Sequence, residues 1–298
     1  HRLIRRQRQM CIRDRKNTKV VIVDDSPFSI SIIKDILEEN GLTVVGEAGN
    51  LEEVINVVKD KEPDIVTMDM TLPGTDGIEC IKAINKINEN VKVIVISSMM
   101  DEEIVKKANE NKVCGYIQKP IDPEELIATI EKVIMKEELF LQLENNYFEI
   151  FKESFRDTLN KFTKTTAEFS EDRKCTISET SRGMAVVIGI IGNFSGRMIL
   201  DLSQETANSM VNFMLKREPK DMNEVLNVIG EFSNIVAGNA CSMLNRKNKV
   251  FGLRIAPPSI FYGKSLNISQ SLLESLAVES NTEFGQIYIN VGFKRGES

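Results

Sequence analysis

Between Val20 and Leu139 short β-branched runs alternate five times with stretches of helical spacing, and no other feature of the chain narrows its fold so far. The runs are "VVIVDD", "LTVVGEA", "DIVTMD", "VKVIVISS" and "VCGYIQKP". The helical stretches are Pro27 to Asn40, "LEEVINVVKD", Gly77 to about Asn88, "DEEIVKKANEN" and "DPEELIATIEKVIMKEEL". Strands that are apolar throughout, rather than at every second residue, belong to a parallel sheet covered on both faces. Pro123 suits the first turn of the fifth helix, with Asp122 as its cap. The expectation is an α/β domain with a doubly wound, five-stranded parallel sheet.

Beyond Ile134 this rhythm stops. No Gly or Pro occurs from Glu124 to Arg182, so a helical linker is expected over 137–145 and a second amphipathic helix from about Tyr147 to Lys161. The stretches "KCTISET", "MAVVIGIIG" and "GRMILDLS" then read as three strands, with a tight connection between the last two at Gly192-Asn193 and Ser195-Gly196. Two helices follow, Gln204–Leu215 and Asp221–Arg246, and the strands "VFGLRIA" and "FGQIYINVGF" lie near the end. Grouped strands and grouped helices indicate an α+β domain. A chain of 298 residues accommodates two domains.

Composition removes several classes of function. The only histidine is His1, so Ser-His-Asp catalysis, Cys-His catalysis and His-rich zinc sites are excluded. Five cysteines without a C-x-x-C pair fit a reducing, cytoplasmic setting. No apolar run is long enough for a membrane span. Residues 1–16 hold seven Arg or Lys against one Asp and are read as a non-native read-through or a basic tail. Without them 31 basic residues face 43 acidic ones, a net charge of −12 that argues against nucleic-acid or anionic-membrane partners.

Asp24 and Asp25 end the first run and Asp69 the third. In an open parallel sheet, ligands bind beyond the carboxyl ends of the strands, so the topology gathers three carboxylates at one edge. Their mutual repulsion calls for a cation, and an oxygen-only site with room for water and a phosphoryl group suits Mg²⁺. Ser97 ends the fourth strand and Lys119 the fifth. A hydroxyl, a lysine and a metal together can clamp the oxygens of a transferring phosphoryl group.

"VVIVDDS", "DIVTMDMTLPGTDGIE", "VIVISSM" and "GYIQKP" resemble the CheY-like receiver domain of bacterial two-component response regulators, with the domain spanning 18–136. The resemblance implies Asp69 as phosphoacceptor in a self-catalysed phosphorylation. It implies Mg²⁺ held by Asp24, Asp25, Asp69 and the main-chain carbonyl of Thr71, phosphoryl contacts from Ser97 and Lys119, and Tyr116 as the switch residue. It also implies a cis Lys119–Pro120 bond and a CheA-like histidine kinase as phosphodonor. Met99 is expected to shield the acyl phosphate.

Glu-x-x-Asn occurs five times, starting at Glu47, Glu53, Glu205, Glu224 and Glu231, so spacing alone singles out nothing. On a helical wheel Met222, Val225, Leu226, Ile229, Phe232, Val236, Ala240, Met243 and Leu244 form the core stripe of the last long helix. Glu231 falls opposite it, and Asn227, Asn234 and Gly238 fall on the same exposed side. Glu231 and Asn234, as i and i+3 neighbours, can reach one point, and Gly238 is expected to leave room for a partner. "GEFSNIVAGNA", with "APPSIFYG" after it and "VVIGIIGNFSGRMILDLSQETANSMV" before it, resembles the CheX member of the CheC/CheX/FliY phosphatases, with the domain spanning 146–298. That implies a hydrolase acting on the aspartyl phosphate of a CheY-like receiver in chemotaxis. Asn234 would orient the attacking water, Glu231 would contact the target's lysine, and the protein would be a homodimer. The helix at 147–161 carries no second motif, since Glu153 is followed three residues later by Arg156. A self-dephosphorylating phosphate sink and a non-enzymatic, phosphorylation-dependent binding module stand as the alternatives.

Overall fold

The computed structural model describes residues 18–98, 106, 110–175, 179–263, 267–268 and 275–295. Residues 1–16, Met99 and nearly all of the expected helix at 101–111 lie outside these. Two compact units meet in sequence at Glu138 and Leu139.

The first unit runs β1 (Lys19–Val23), α1 (Pro27–Glu39), β2 (Thr43–Ala48), α2 (Leu51–Lys61), β3 (Ile65–Asp69), the short strands β4 (Thr71–Leu72) and β5 (Thr75–Asp76), α3 (Gly77–Ile87), β6 (Lys92–Ser97), β7 (Gly115–Gln118) and the start of α4 (Pro123–Thr163). The sheet order β2-β1-β3-β6-β7, parallel throughout, is the flavodoxin-like one. The side chains of β1 explain why its run is uniformly apolar. Val21 and Val23 pack with Val54, Val58, Ile81 and Ile84 of α2 and α3. Val20 and Ile22 pack with Ile33 and Leu37 of α1 and Leu126 and Ile130 of α4. With both faces buried, cutting Ile22 to Ala should cost about 2–5 kcal/mol. Each helix starts where a short polar side chain accepts a backbone N–H: Ser26 for α1, Asn50 for α2, Asp76 for α3. Asp122 does the same before α4, accepting from the Glu124 and Glu125 N–H groups.

α4 continues without a break to Thr163. Phe140 and Leu143 already belong to the second core, inside the stretch expected as a linker. The rest of the second unit comprises β8 (Glu168–Phe169), β9 (Arg173–Cys175), β10 (Glu179–Thr180), β11 (Met184–Ile191), β12 (Gly196–Leu202), α5 (Gln204–Leu215), α6 (Met222–Lys247), a 3-10 turn (Lys249–Phe251), β13 (Arg254–Ile255), β14 (Ser259–Tyr262), β15 (Asn267–Ile268), β16 (Ser275–Thr282) and β17 (Gly285–Phe293). Its main sheet is antiparallel, β13-β11-β12-β17-β16-β8, with β14 also on β11 and β9 also on β16. Met184, Val186, Ile188 and Ile190 of β11 point into one core with α4, α5 and α6.

Several readings of this unit change, and the two-residue strands β8 and β15 add to the expected set. "VFGLRIA" is a 3-10 turn and a two-residue strand rather than one strand, and β14 and β16 were not anticipated. In β16 the inward positions are Leu276, Val278 and Ser280, and the buried serine breaks the apolar alternation that marks a half-buried strand.

Candidate functional site

Asp24 directly follows β1, Asp69 is the last residue of β3, Ser97 the last of β6, and Lys119 follows β7. Parallel order brings these four ends to one edge. Asp24 is 1 % exposed and Asp69 7 % exposed, so neither carboxylate can rely on bulk water. The chain supplies the substitutes. The Lys119 ammonium donates to Asp24 Oδ2 at 2.8 Å and to Asp69 Oδ2 at 2.6 Å. The remaining oxygens accept backbone N–H groups, Asp24 Oδ1 from Ser26 at 2.9 Å and Asp69 Oδ1 from Thr71 at 3.1 Å. Burial acts against the Lys119 charge. Its hydrogen bonds to Asp24 and Asp69, with their negative charges, outweigh that and hold its pKa above the ordinary 10.5.

Asp25 is exposed beside the buried pair, and one oxygen each of Asp24, Asp25 and Asp69 lie within 4.8 Å of one another. Three hard oxygen donors, with one side open, fit Mg²⁺. No other such group of His, Cys, Asp and Glu occurs among the described residues. Ser97 is buried at the end of β6. Tyr116 sits on β7 beside Val95 and packs against the α2/α3 face of the core. Burial, with the neighbouring Cys114, raises its pKa. The Lys119–Pro120 peptide is cis.

A residue with no reactive side chain, Gly77, also shapes this pocket. A Cβ on Gly77 would come within 2.8 Å of the Asp69 carbonyl oxygen and of Met70. The first turn of α3 can therefore lie against the Asp69 loop only with glycine there. The signal was "PGTDG", whose last glycine opens a helix just after a turn.

On α6, the expected core residues Val225, Ile229, Phe232, Val236, Ala240 and Leu244 are buried, with Met222, Leu226 and Met243 at the rim. The buried face is wider than the stripe and includes Gly230, Ser233, Ala237 and Cys241, because α4 packs on α6 as well. Ser154 donates to the Val236 carbonyl at 2.7 Å and Phe155 meets Phe232 edge-on at 5.7 Å. Asn234 is in consequence half-buried, while Glu231 and Asn227 are exposed. Gly238 is half-buried and faces the chain itself: a Cβ there would meet Ile255 at an ordinary 3.5 Å. The close approach falls at Gly230, where a Cβ would meet Ile260 at 2.7 Å.

The five Glu-x-x-Asn pairs now separate. Glu47 is bonded to Lys34 at 2.9 Å, Glu53 accepts the Gly49 N–H at 2.7 Å, and Glu205 accepts from the Ser203 hydroxyl at 3.3 Å. Glu224 is held by the Arg217 guanidinium and the Lys220 N–H. Glu231 makes no hydrogen bond or ion pair among the described residues, and neither does the Asn234 side chain.

A flavodoxin-like sheet with buried acids and a lysine at its carboxyl edge defines a receiver domain, and an α+β unit follows it. Residues 20–131 match the response regulator receiver domain family, and residues 184–281 match the family described as chemotaxis phosphatase CheX. Chemotaxis protein CheY of Thermotoga maritima is 41% identical over 115 residues, 39% of this chain and 96% of that protein. CheY of Bacillus subtilis is 36% identical over 116 residues, 39% of this chain and 97% of its own length. The chain belongs to the CheY-type response-regulator receivers, with a CheX domain fused to the receiver. Among solved structures, a CheX–CheY–BeF3–Mg²⁺ complex from Borrelia burgdorferi is similar with 25% identity and a TM-score of 0.44, over 50% of this chain and 98% of that one. No helix among the described residues is long and apolar enough to cross a membrane.

Proposed function

We propose that the chain is a response regulator phosphorylated on Asp69, whose second unit hydrolyses the aspartyl phosphate of a CheY-like receiver. Asp69 attacks the phosphorus of a phosphodonor, a CheA-like histidine kinase in the cell; a carboxylate oxygen bonds to phosphorus, the phosphorus–nitrogen bond of the donor's phosphohistidine breaks, the imidazole leaves, and Asp69 becomes an acyl phosphate. Asp24, Asp25, Asp69 and the Thr71 carbonyl would hold Mg²⁺, which would supply positive charge to offset that of the phosphoryl oxygens. Lys119 shifts its ammonium from the Asp69 carboxylate to the phosphoryl group, and Ser97 offers its hydroxyl to the same group. Tyr116 is the residue that changes setting with phosphorylation.

In the second unit Asn234 orients a water against the target's phosphorus, and Glu231 docks on the target's lysine. Neither step needs a nucleophile of the unit's own, in keeping with a chain whose only histidine is His1. The contribution is positioning. One observation carries the choice of residues: of five Glu-x-x-Asn pairs, only Glu231 has a carboxylate with no partner among the described residues. An exposed carboxylate with no internal partner can be recruited without breaking a bond inside the chain.

Phosphate release from a separately phosphorylated CheY-like receiver tests this reading. Asn234→Ala should slow release by roughly 10²–10³, the loss expected for one transition-state positioning group, while Glu205→Ala and Asn208→Ala leave it near the wild-type rate. Wild-type protein that binds the phosphorylated receiver without releasing phosphate would instead make the unit a binding module.

A further inference from the structure

The reading above leaves open which receiver the Glu231/Asn234 site meets, and this inference rests on that reading. We infer that its substrate includes the Asp69 acyl phosphate of a second copy of this chain.

The first ground is identity of substrate class. Every copy carries a receiver that matches a CheY along nearly its whole length. A surface on α6 that accepts CheY-like receivers is therefore offered its own at a concentration equal to that of the site. The second ground is chemical. The group Glu231 is to dock on is present in this receiver, as the Lys119 ammonium set between Asp24 and Asp69. Glu231 supplies a carboxylate that no group among the described residues already neutralises. The third ground is access: a second copy reaches the site by diffusion and needs no particular placement of the two units of one chain.

The step balances without a further reactant. The water oxygen bonds to phosphorus, the bond from phosphorus to the Asp69 carboxylate oxygen breaks, Asp69 leaves as carboxylate, and one proton passes from the water to solvent.

Two full-length variants test this. Asn234→Ala chain is labelled on Asp69 with acetyl phosphate and Mg²⁺, freed of donor, and its acid-labile phosphate followed alone and after mixing with Asp69→Asn chain, which carries the site but no acceptor. A parallel arm gives the Asp69→Asn chain phosphorylated Thermotoga CheY. The label should decay on the order of 10²-fold faster in the mixture, in proportion to the Asp69→Asn chain added. Turnover of the separate CheY with no acceleration in the mixture would overturn the inference and leave the phosphatase reading standing. Fast decay in wild-type protein at every dilution, without acceleration in the mixture, would place the reaction within one chain and overturn the second copy. Hydrolysis of neither substrate would remove the phosphatase reading and this inference with it.

Discussion

At the end of β3, Asp69 is 7 % exposed and shares one ammonium with Asp24. On α6, Glu231 stands exposed with no partner among the described residues. The pocket stores its chemistry as buried charges that satisfy one another, so removing any one strands the rest. The helix face keeps its groups uncommitted, so removing either leaves the fold alone and subtracts only what a partner would have gained. Buried, mutually paired groups mark a site whose geometry is assembled by its own chain. A free pair on an otherwise packed helix marks one completed by another molecule.

The largest expected effect lies in the pocket. Asp69→Asn should abolish labelling by acetyl phosphate, read by intact mass, and chelation should abolish it in the wild type; label surviving the substitution would break the assignment. On the helix the two residues should fail differently. Asn234→Ala should lower kcat by roughly 10²–10³, whereas Glu231→Ala should mainly raise KM, since the partner proposed for it is a docking lysine. If both changed kcat alone, the division between docking and water positioning would be wrong.

Lys119→Met asks how far the pocket depends on its own cation. Breaking a buried pair costs about 3–5 kcal/mol, and with the lysine side chain 20% exposed the loss should be nearer 2 kcal/mol, part of it restored by Mg²⁺. The lysine's pKa is raised in the folded state. Its stabilisation is therefore complete below 10.5 and fades as pH rises through the folded value. Denaturation curves of wild type and Lys119→Met should differ at pH 8 and converge above that value; a constant gap would mean that packing, not charge, is lost.

The smallest effect concerns the glycines of α6. Gly238→Ala should stabilise the helix by about 1 kcal/mol, since the new methyl meets Ile255 at ordinary contact distance. Gly230→Ala should gain less, because the same helix preference is offset by Ile260, whose Cδ1 must move away from the new methyl. A fall in phosphatase rate in a fully stable Gly238→Ala protein would show that a partner does approach there.

The receiver was legible almost residue by residue. A strand buried on both faces must be apolar throughout, so its first polar residue marks its carboxyl end, and the parallel order sends those ends to one edge. Asp24, Asp69, Ser97 and Lys119 could thus be placed together from the pattern alone. The second unit was read less well where polar residues take inward positions, as Ser280 does in β16, and where a strand is as short as β14. On α6 the wheel placed the core correctly but left Asn234 too exposed, because it could not register α4 on the flank.

By itself the sequence determined the alternating fold of the first unit, the edge that gathers its acids, and the face of α6 on which Glu231 stands. These depend on local period, 2.0 in a strand and 3.6 in a helix, which any stretch of chain carries within itself. Glu53 and Glu205 find partners within four residues, at the Gly49 N–H and the Ser203 hydroxyl, but among the other pairs of this spacing only the tertiary structure decided which keeps a free carboxylate. Lys34 reaches Glu47 from thirteen residues away and Arg217 reaches Glu224 from seven, while nothing among the described residues reaches Glu231. Whether a side chain is engaged depends on neighbours brought by the fold, and spacing along one helix carries no record of them.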